Sequence, residues 1–200
     1  VGAGTAVTGN TMTVRSSGLT VAVASTPVSG STVKGSQGVQ TIGFAFTAGA
    51  SSAVKVTQLV LAGEGHDTDI AFAGDGSGSV DDLIISASLW DGTTQVGTSK
   101  SPSSTGTLTF DNLNWNLGAG ETRKLIVKTN VATTLLAGAL DYVYLGLPIA
   151  NVTSQDSDSN SITATAGTPD PVNTNAANNV LTINSTGTLT VALDGDSPLS

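Results

Sequence analysis

Thr122–Val131 reads TRKLIVKTNV. Leu125, Val127, Thr129 and Val131 fall on one side of an extended chain. Lys124, Ile126, Lys128 and Asn130 fall on the other. A period of two with charge on one face describes a strand that buries one side and wets the other. The same pattern recurs to either side. Leu19, Val21 and Val23 alternate with Thr20, Ala22 and Ala24, and Val39–Thr47 sets Ile42, Phe44 and Phe46 on one face. Val54–Leu61 alternates through Val54 and Val56, then turns apolar at Leu59, Val60 and Leu61. Leu83–Trp90 aligns Ile85, Ala87 and Leu89. Thr107–Phe110, Leu113–Leu117, Asn151–Gln155, Ser161–Ala166, Val180–Asn184 and Thr188–Leu193 are shorter strands. Ala139–Leu147 is apolar on both faces, as a central strand is.

Gly, Asp, Ser and Pro punctuate these runs at Gly63–Thr68, Gly74–Asp82, Asp91–Gly92, Gly118–Gly120 and Gly167–Pro171. Many short strands at this spacing predict an all-β fold, an Ig-like Greek-key β-sandwich. Ala132–Gly138 is the one stretch with helical character, worth a single turn. With no cysteine, the sandwich has no disulfide, and Trp90 and Trp115 are the expected core plugs.

Composition agrees. Of 200 residues, 38% are hydrophobic but only 4% aromatic, so the core is built from Val, Leu, Ile and Ala. Charged residues reach 11%, well below the roughly 25% usual in soluble domains. Two Glu and one Met leave little helix-forming material. The net charge of −8 argues against nucleic acid and anionic membrane as partners. No run approaches the roughly 18 apolar residues of a membrane helix, so no membrane insertion is expected. The chain opens on Val1 without a signal-peptide pattern, which reads as a processed or excised segment. It lacks the long apolar N-terminal helix of a type IV pilin.

The chain also restates itself. MTVRSSGLTVAVASTPVS (Met12–Ser29) returns as LTINSTGTLTVALDGDSPLS (Leu181–Ser200), an offset of about 170 residues. Both carry a short strand, a Ser/Gly turn, Leu-Thr-Val-Ala-apolar, then a Ser/Pro turn. A tandem repeat sampled as one period plus an overlap predicts three parts. These are a junction over residues 1–17, a sandwich over 18–186, and a terminal strand over 187–200 that starts the next repeat. Leu189, Val191 and Leu193, with Leu19, Val21 and Val23, are the apolar teeth of the expected assembly strand.

LWDGTTQVGTS (Leu89–Ser99), GTLTFDNLNWNLGAGETRKLIVKTNVA (Gly106–Ala132) and the terminal GTLTVALDGDSPLS carry a family likeness. They resemble a repeat domain of very large exported proteins from Parcubacteria-type bacteria. The resemblance covers most of the chain. It implies Ig-like tandem repeats at the cell surface, and no catalytic residue.

Chemistry-bearing clusters are sparse. His66, the only histidine, sits in Glu64-Gly65-His66-Asp67-Thr68-Asp69 and reads as a polar loop residue. A nucleophilic triad needs a base beside an exposed nucleophile, and no Gly-x-Ser-x-Gly elbow is present. A lone histidine does not make a zinc site. Glu64 and Glu121, the only glutamates, form no glycosidase pair, so the protein is not expected to be an enzyme. The acidic turns are better candidates. Asp67, Asp69, Asp75, Asp81 and Asp82 offer the oxygen density calcium requires, although EF-hand and nonapeptide spacings are absent. Asp156, Asp158, Asp194 and Asp196 fall in further turns. Calcium is therefore the one cofactor the sequence admits. Two N-glycosylation sequons begin at Asn151 and Asn184.

The expected function is a structural unit of an extracellular filament, sheath or S-layer, at the cell surface. Its partners are copies of itself, joined by β-strand addition or covalent tandem linkage. The alternative is an adhesin or carbohydrate-binding module that takes a glycan at its loops, with calcium as a stabiliser.

Overall fold

In a computed structural model the described residues are 18–28, 30–67, 80–136, 140–172 and 180–187. The strand that decides the fold, β9 (Thr122–Val131), buries Leu125, Val127, Thr129 and Val131 to the last side chain. It lies at the middle of one sheet. Its neighbours are β3 (Val39–Ala48) and β5 (Ile84–Asp91), both antiparallel. β1 (Leu19–Val23) and β13 (Ala164–Ala166) extend the sheet beyond β3, and β6 (Thr94–Lys100) closes its other side.

The second sheet is organised by β4 (Val54–His66), the longest strand. Each of its edges carries an interrupted partner. On one edge run β7 (Thr107–Phe110) and β8 (Trp115–Leu117). On the other run β10 (Leu140–Gly146) and β11 (Val152–Asp156), separated by a 3-10 turn at Ile149–Asn151. β12 (Ser161–Ile162) pairs with β11, while β14 (Val180–Asn184) and β2 (Gly30–Val33) continue outward from β10. Sheet neighbours are mostly non-sequential and the chain crosses repeatedly between sheets. The all-β, Ig-like Greek-key sandwich is thus the fold. Two edge pairings, β1–β13 and β14–β2, are parallel.

The core fills the space between the sheets. Phe44, Phe46, Leu125 and Val127 face Val56, Leu61, Phe110, Val143 and Leu145. Trp115 is the plug the sequence predicts. Its ring meets Phe46 edge-on at 5.1 Å, with 4% of the residue exposed. Thr41 and Thr129 bury their hydroxyls and satisfy each other at 2.8 Å.

Bulges explain where simple alternation fails. In β4 the pairing with β11 skips Thr57, so burial shifts from Val54 and Val56 to Leu59 and Leu61. In β5 a register shift between Ile84 and Ser86 sends Ile84 inward. Ile85, expected in the core, is 52% exposed. Beyond the shift Ala87 and Leu89 face inward, which puts Trp90 outside, beneath the Lys128 ammonium at 3.9 Å, so it is not a core plug.

Other expectations also shift. Ser161–Ala166 is two strands, β12 and β13, because the chain changes sheets at Thr163. Ala132–Leu136 is not helical. The one α-helical turn among the described residues is Val80–Leu83, whose Val80 and Leu83 seal one end of the core. β2 and β6 carry no apolar alternation and are largely exposed, so neither is visible as a strand in the sequence.

Gly43 marks a close crossing. A Cβ there would lie 2.5 Å from the carbonyl oxygen of Thr26, on the segment that leaves β1. Gly43→Ala should therefore cost about 1–3 kcal/mol through forced displacement. Urea denaturation should show a lower midpoint with an unchanged slope.

Candidate functional site

Strand directions give the sandwich two poles. Leu19 pairs with Ala48, Thr47 with Thr122, and Val54 with Leu117, so these residues share one pole, where the described chain begins. Leu140 pairs with Asn184, and Asn184 with Val33, at the opposite pole, where β14 runs out. The chain thus enters through β1 at one pole, called N here, and leaves through β14 at the other, called C. At about 3.3 Å per residue, the 13-residue β4 spans roughly 40 Å of that axis.

β1 carries three of the predicted assembly residues. Leu19, Val21 and Val23 point into the core with 1%, 0% and 8% exposure. The strand is internal, because β3 occupies one edge and β13 the other. Further bonds lock it. Gly49 N–H donates to the Gly18 carbonyl at 2.8 Å, Gly167 N–H to Val21 at 2.7 Å, and Val23 N–H to Pro169 at 3.0 Å. The Thr20 and Thr165 hydroxyls meet at 3.2 Å on the outer face. Leu189, Val191 and Leu193 lie outside the described residues.

At the N pole a cleft of about 440 Å³ with mixed polar and apolar walls opens between the β5–β6 hairpin and the gap separating β7 from β8. Gln95, Asn112 and Asn114 contribute side chains to its wall. Its floor is a charged network. Asp91 Oδ2 accepts from the Trp115 indole N–H at 2.9 Å and from the Arg123 guanidinium. Arg123 also donates to the Asn116 carbonyl at 2.6 Å and lies 5.4 Å from the Trp115 ring centre. The network joins β5 and β9 of one sheet to β8 of the other, tying the sheets together at this pole. The sequence hid it, because Asp91 reads as an ordinary turn residue.

The predicted calcium ligands are only partly placed. Asp67 is exposed just after β4, and Asp81 and Asp82 are exposed on the helical turn; Asp69 and Asp75 lie outside the described residues. Among the described residues no three His, Asp or Glu side chains gather as a metal site. Asp156 serves its own turn, accepting from the backbone N–H groups of Asp158 and Asn160 at 2.9 Å each. Asp194 and Asp196 lie outside the described residues.

His66 is not a loop residue. β10 extends the ladder past Gly63, making His66 the last residue of β4, with Nε2 3.4 Å from Glu64 Oε2. Glu64 and Asp141 are both fully buried, which the sequence does not reveal. Asp141 Oδ2 accepts from Leu136 N–H at 2.8 Å, while Oδ1 has no partner among the described residues. The sequon asparagines are engaged: Asn151 Nδ2 donates to Val60, and Asn184 Nδ2 to Thr32 and Ser31. No described helix is long and apolar enough to cross a membrane.

No family model and no curated protein matches the chain. Among solved structures it is similar to a chain of the CaDoc0917–CaCohA2 complex, at 15% identity and TM-score 0.34. That match covers 84% of this chain and 99% of that one. It is also similar to a type II cohesin domain from the cellulosome of Acetivibrio cellulolyticus, at 9% identity and TM-score 0.34, covering 84% and 95%. A family 123 glycoside hydrolase from Clostridium perfringens aligns at 10% identity and TM-score 0.34, over 86% of this chain and 28% of that one. These values are low, and the fold assignment rests on the strand pairing described above.

Two outcomes follow from the polar contacts. Asp91→Ala should cost about 1–3 kcal/mol, since it strands a largely buried indole N–H and a guanidinium. Asp91→Asn should cost less, and thermal melts of both variants check the order. Separately, a 2.5 Å hydrogen bond from the Lys100 ammonium holds the Asp111 carboxyl below its ordinary value. The depressed group adds stability above the unfolded-state value and loses it as pH falls through the folded one. Both side chains are solvent-accessible, so the effect is small and screened by salt. Acid melts of Asp111→Asn should show a shallower decline than the parent, and the two curves should converge in high salt.

Proposed function

We propose that this protein is a structural, non-enzymatic link in an extracellular assembly at the cell surface: a filament, sheath or S-layer built from copies of the same fold. The observation that carries this reading is the position of the first and last described strands. The described chain starts at one pole of a roughly 40 Å sandwich and runs out at the other. Units joined end to end through such poles stack along one axis. A fold with both ends at one pole sets successive units side by side or folds them back instead.

The sequence repeat supports the same reading, because the strand that opens this unit reappears after the strand that closes it. Covalent tandem linkage and strand addition are two ways of making the same joint. The family resemblance favours the first. Low surface charge and a Thr/Val-rich sheet surface suit close lateral packing.

A second reading, a glycan-binding adhesin, rests on the N-pole cleft. Its volume falls within the range of roughly 300–1,000 Å³ for small-ligand pockets, and amides line it. A glycan array with saturable hits that vanish in Asn114→Ala would favour that role.

Electron images of the native material test the primary reading. Filaments or lattices with an axial repeat near 40–45 Å per unit are expected from strand length plus a short joint. Deleting Thr188–Ser200 should shorten or abolish them while leaving the melting temperature unchanged. Dispersed single particles in the native material would refute it.

A further inference from the structure

β1 occupies a groove in its own sheet with β13 on one side and β3 on the other. Each position in that groove makes a distinct demand. Positions 19, 21 and 23 are buried and apolar. Position 20 supplies a hydroxyl to Thr165. Position 22 sets a methyl against Gly167, where an added Cβ would lie 2.9 Å from the Ala22 Cβ. Leu189-Thr190-Val191-Ala192-Leu193 meets all five demands. It differs from Leu19–Val23 at one position, where Leu193 replaces Val23, and Val23 is the most exposed of the three core-facing residues.

In this unit the groove is already filled, so Leu189–Leu193 finds no vacant place there. We propose that Leu189–Leu193 is the β1 strand of a second copy of this fold, seated between that copy's β13 and β3. In that register Leu189 takes the place of Leu19, opposite the residue equivalent to Ala48. This deepens the end-to-end reading above and rests on it. Only Ser185–Thr188 separate Asn184 from Leu189, so five Cα steps, at most about 18 Å, join the two strands. The second unit's N pole therefore sits directly against the first unit's C pole. The joint is continuous chain threading both sheets, not an exposed edge added to an edge.

The test uses the full chain with a protease site placed after Val28, which is 70% exposed. The folded chain is cut, denatured, and refolded with an excess of labelled peptide Thr188–Ser200 or, for reference, Gly18–Val28. Retention of both peptides, with half-saturation within about tenfold of each other (1.4 kcal/mol or less), is expected. Val191→Asp in the peptide should abolish retention. Retention of Gly18–Val28 without Thr188–Ser200 overturns the assignment. If neither peptide is retained, the uncut Gly18→Thr, Val23→Leu chain decides, since it carries the terminal strand in the groove. A melting temperature within about 5 °C of the parent supports the assignment, and a fall of more than about 10 °C overturns it. Native filaments alongside failure of both tests would defeat this joint while leaving the end-to-end reading intact.

Discussion

The face-to-face packing of β3 and β9 against β4 and β10 is the contact on which the rest of the molecule depends. Phe44, Phe46, Leu125 and Val127 on one side meet Val56, Leu61, Val143 and Leu145 on the other. Few aromatics and no disulfide contribute, so stability comes from many aliphatic side chains each removed from water, at about 25 cal/mol per Å² of apolar surface. Such a layer tolerates no phase error, because a one-residue slip turns a strand inside out. The bulges at Thr57 and between Ile84 and Ser86 let long strands keep their apolar residues inward as the sheets twist.

Charge plays the local part that a disulfide plays elsewhere. Asp91, Trp115 and Arg123 converge from three strands of both sheets, and each satisfies the others' polar atoms. The network is partly shielded, so its hydrogen bonds retain more strength than surface pairs such as Lys100–Asp111. It also shapes the cleft above it, which makes that cleft a by-product of how the pole is tied.

Strands with alternating burial were legible in the sequence, because alternation is the imprint of a two-faced environment. β9, β7 and β14 match the expected spans residue for residue. Strands whose side chains are mostly solvated leave no such imprint: β2 and β6 are held chiefly by backbone pairing, and Gly-Ser-Thr reads as a loop. Phase was legible only away from the bulge, which is why Ile84 and Ile85 exchange sides while Ala87 and Leu89 keep theirs. Of the candidate site, the repeat showed which strand matters. The groove that receives it, made by β13 and β3, is assembled by residues more than 100 positions apart, and no local pattern encodes it.

First and last described strands that open on opposite poles also determine how the unit responds to force. A pull on Gly18 away from the N pole draws β1 along its own axis, and a pull beyond Asn184 does the same to β14 in the other sheet. Backbone hydrogen bonds in an antiparallel ladder lie perpendicular to the strands. Tension along β1 therefore loads its five pairs with β3 and three with β13 together, in shear, with none free to unzip first. The two terminal strands sit in separate sheets, so the load crosses the whole aliphatic core between them.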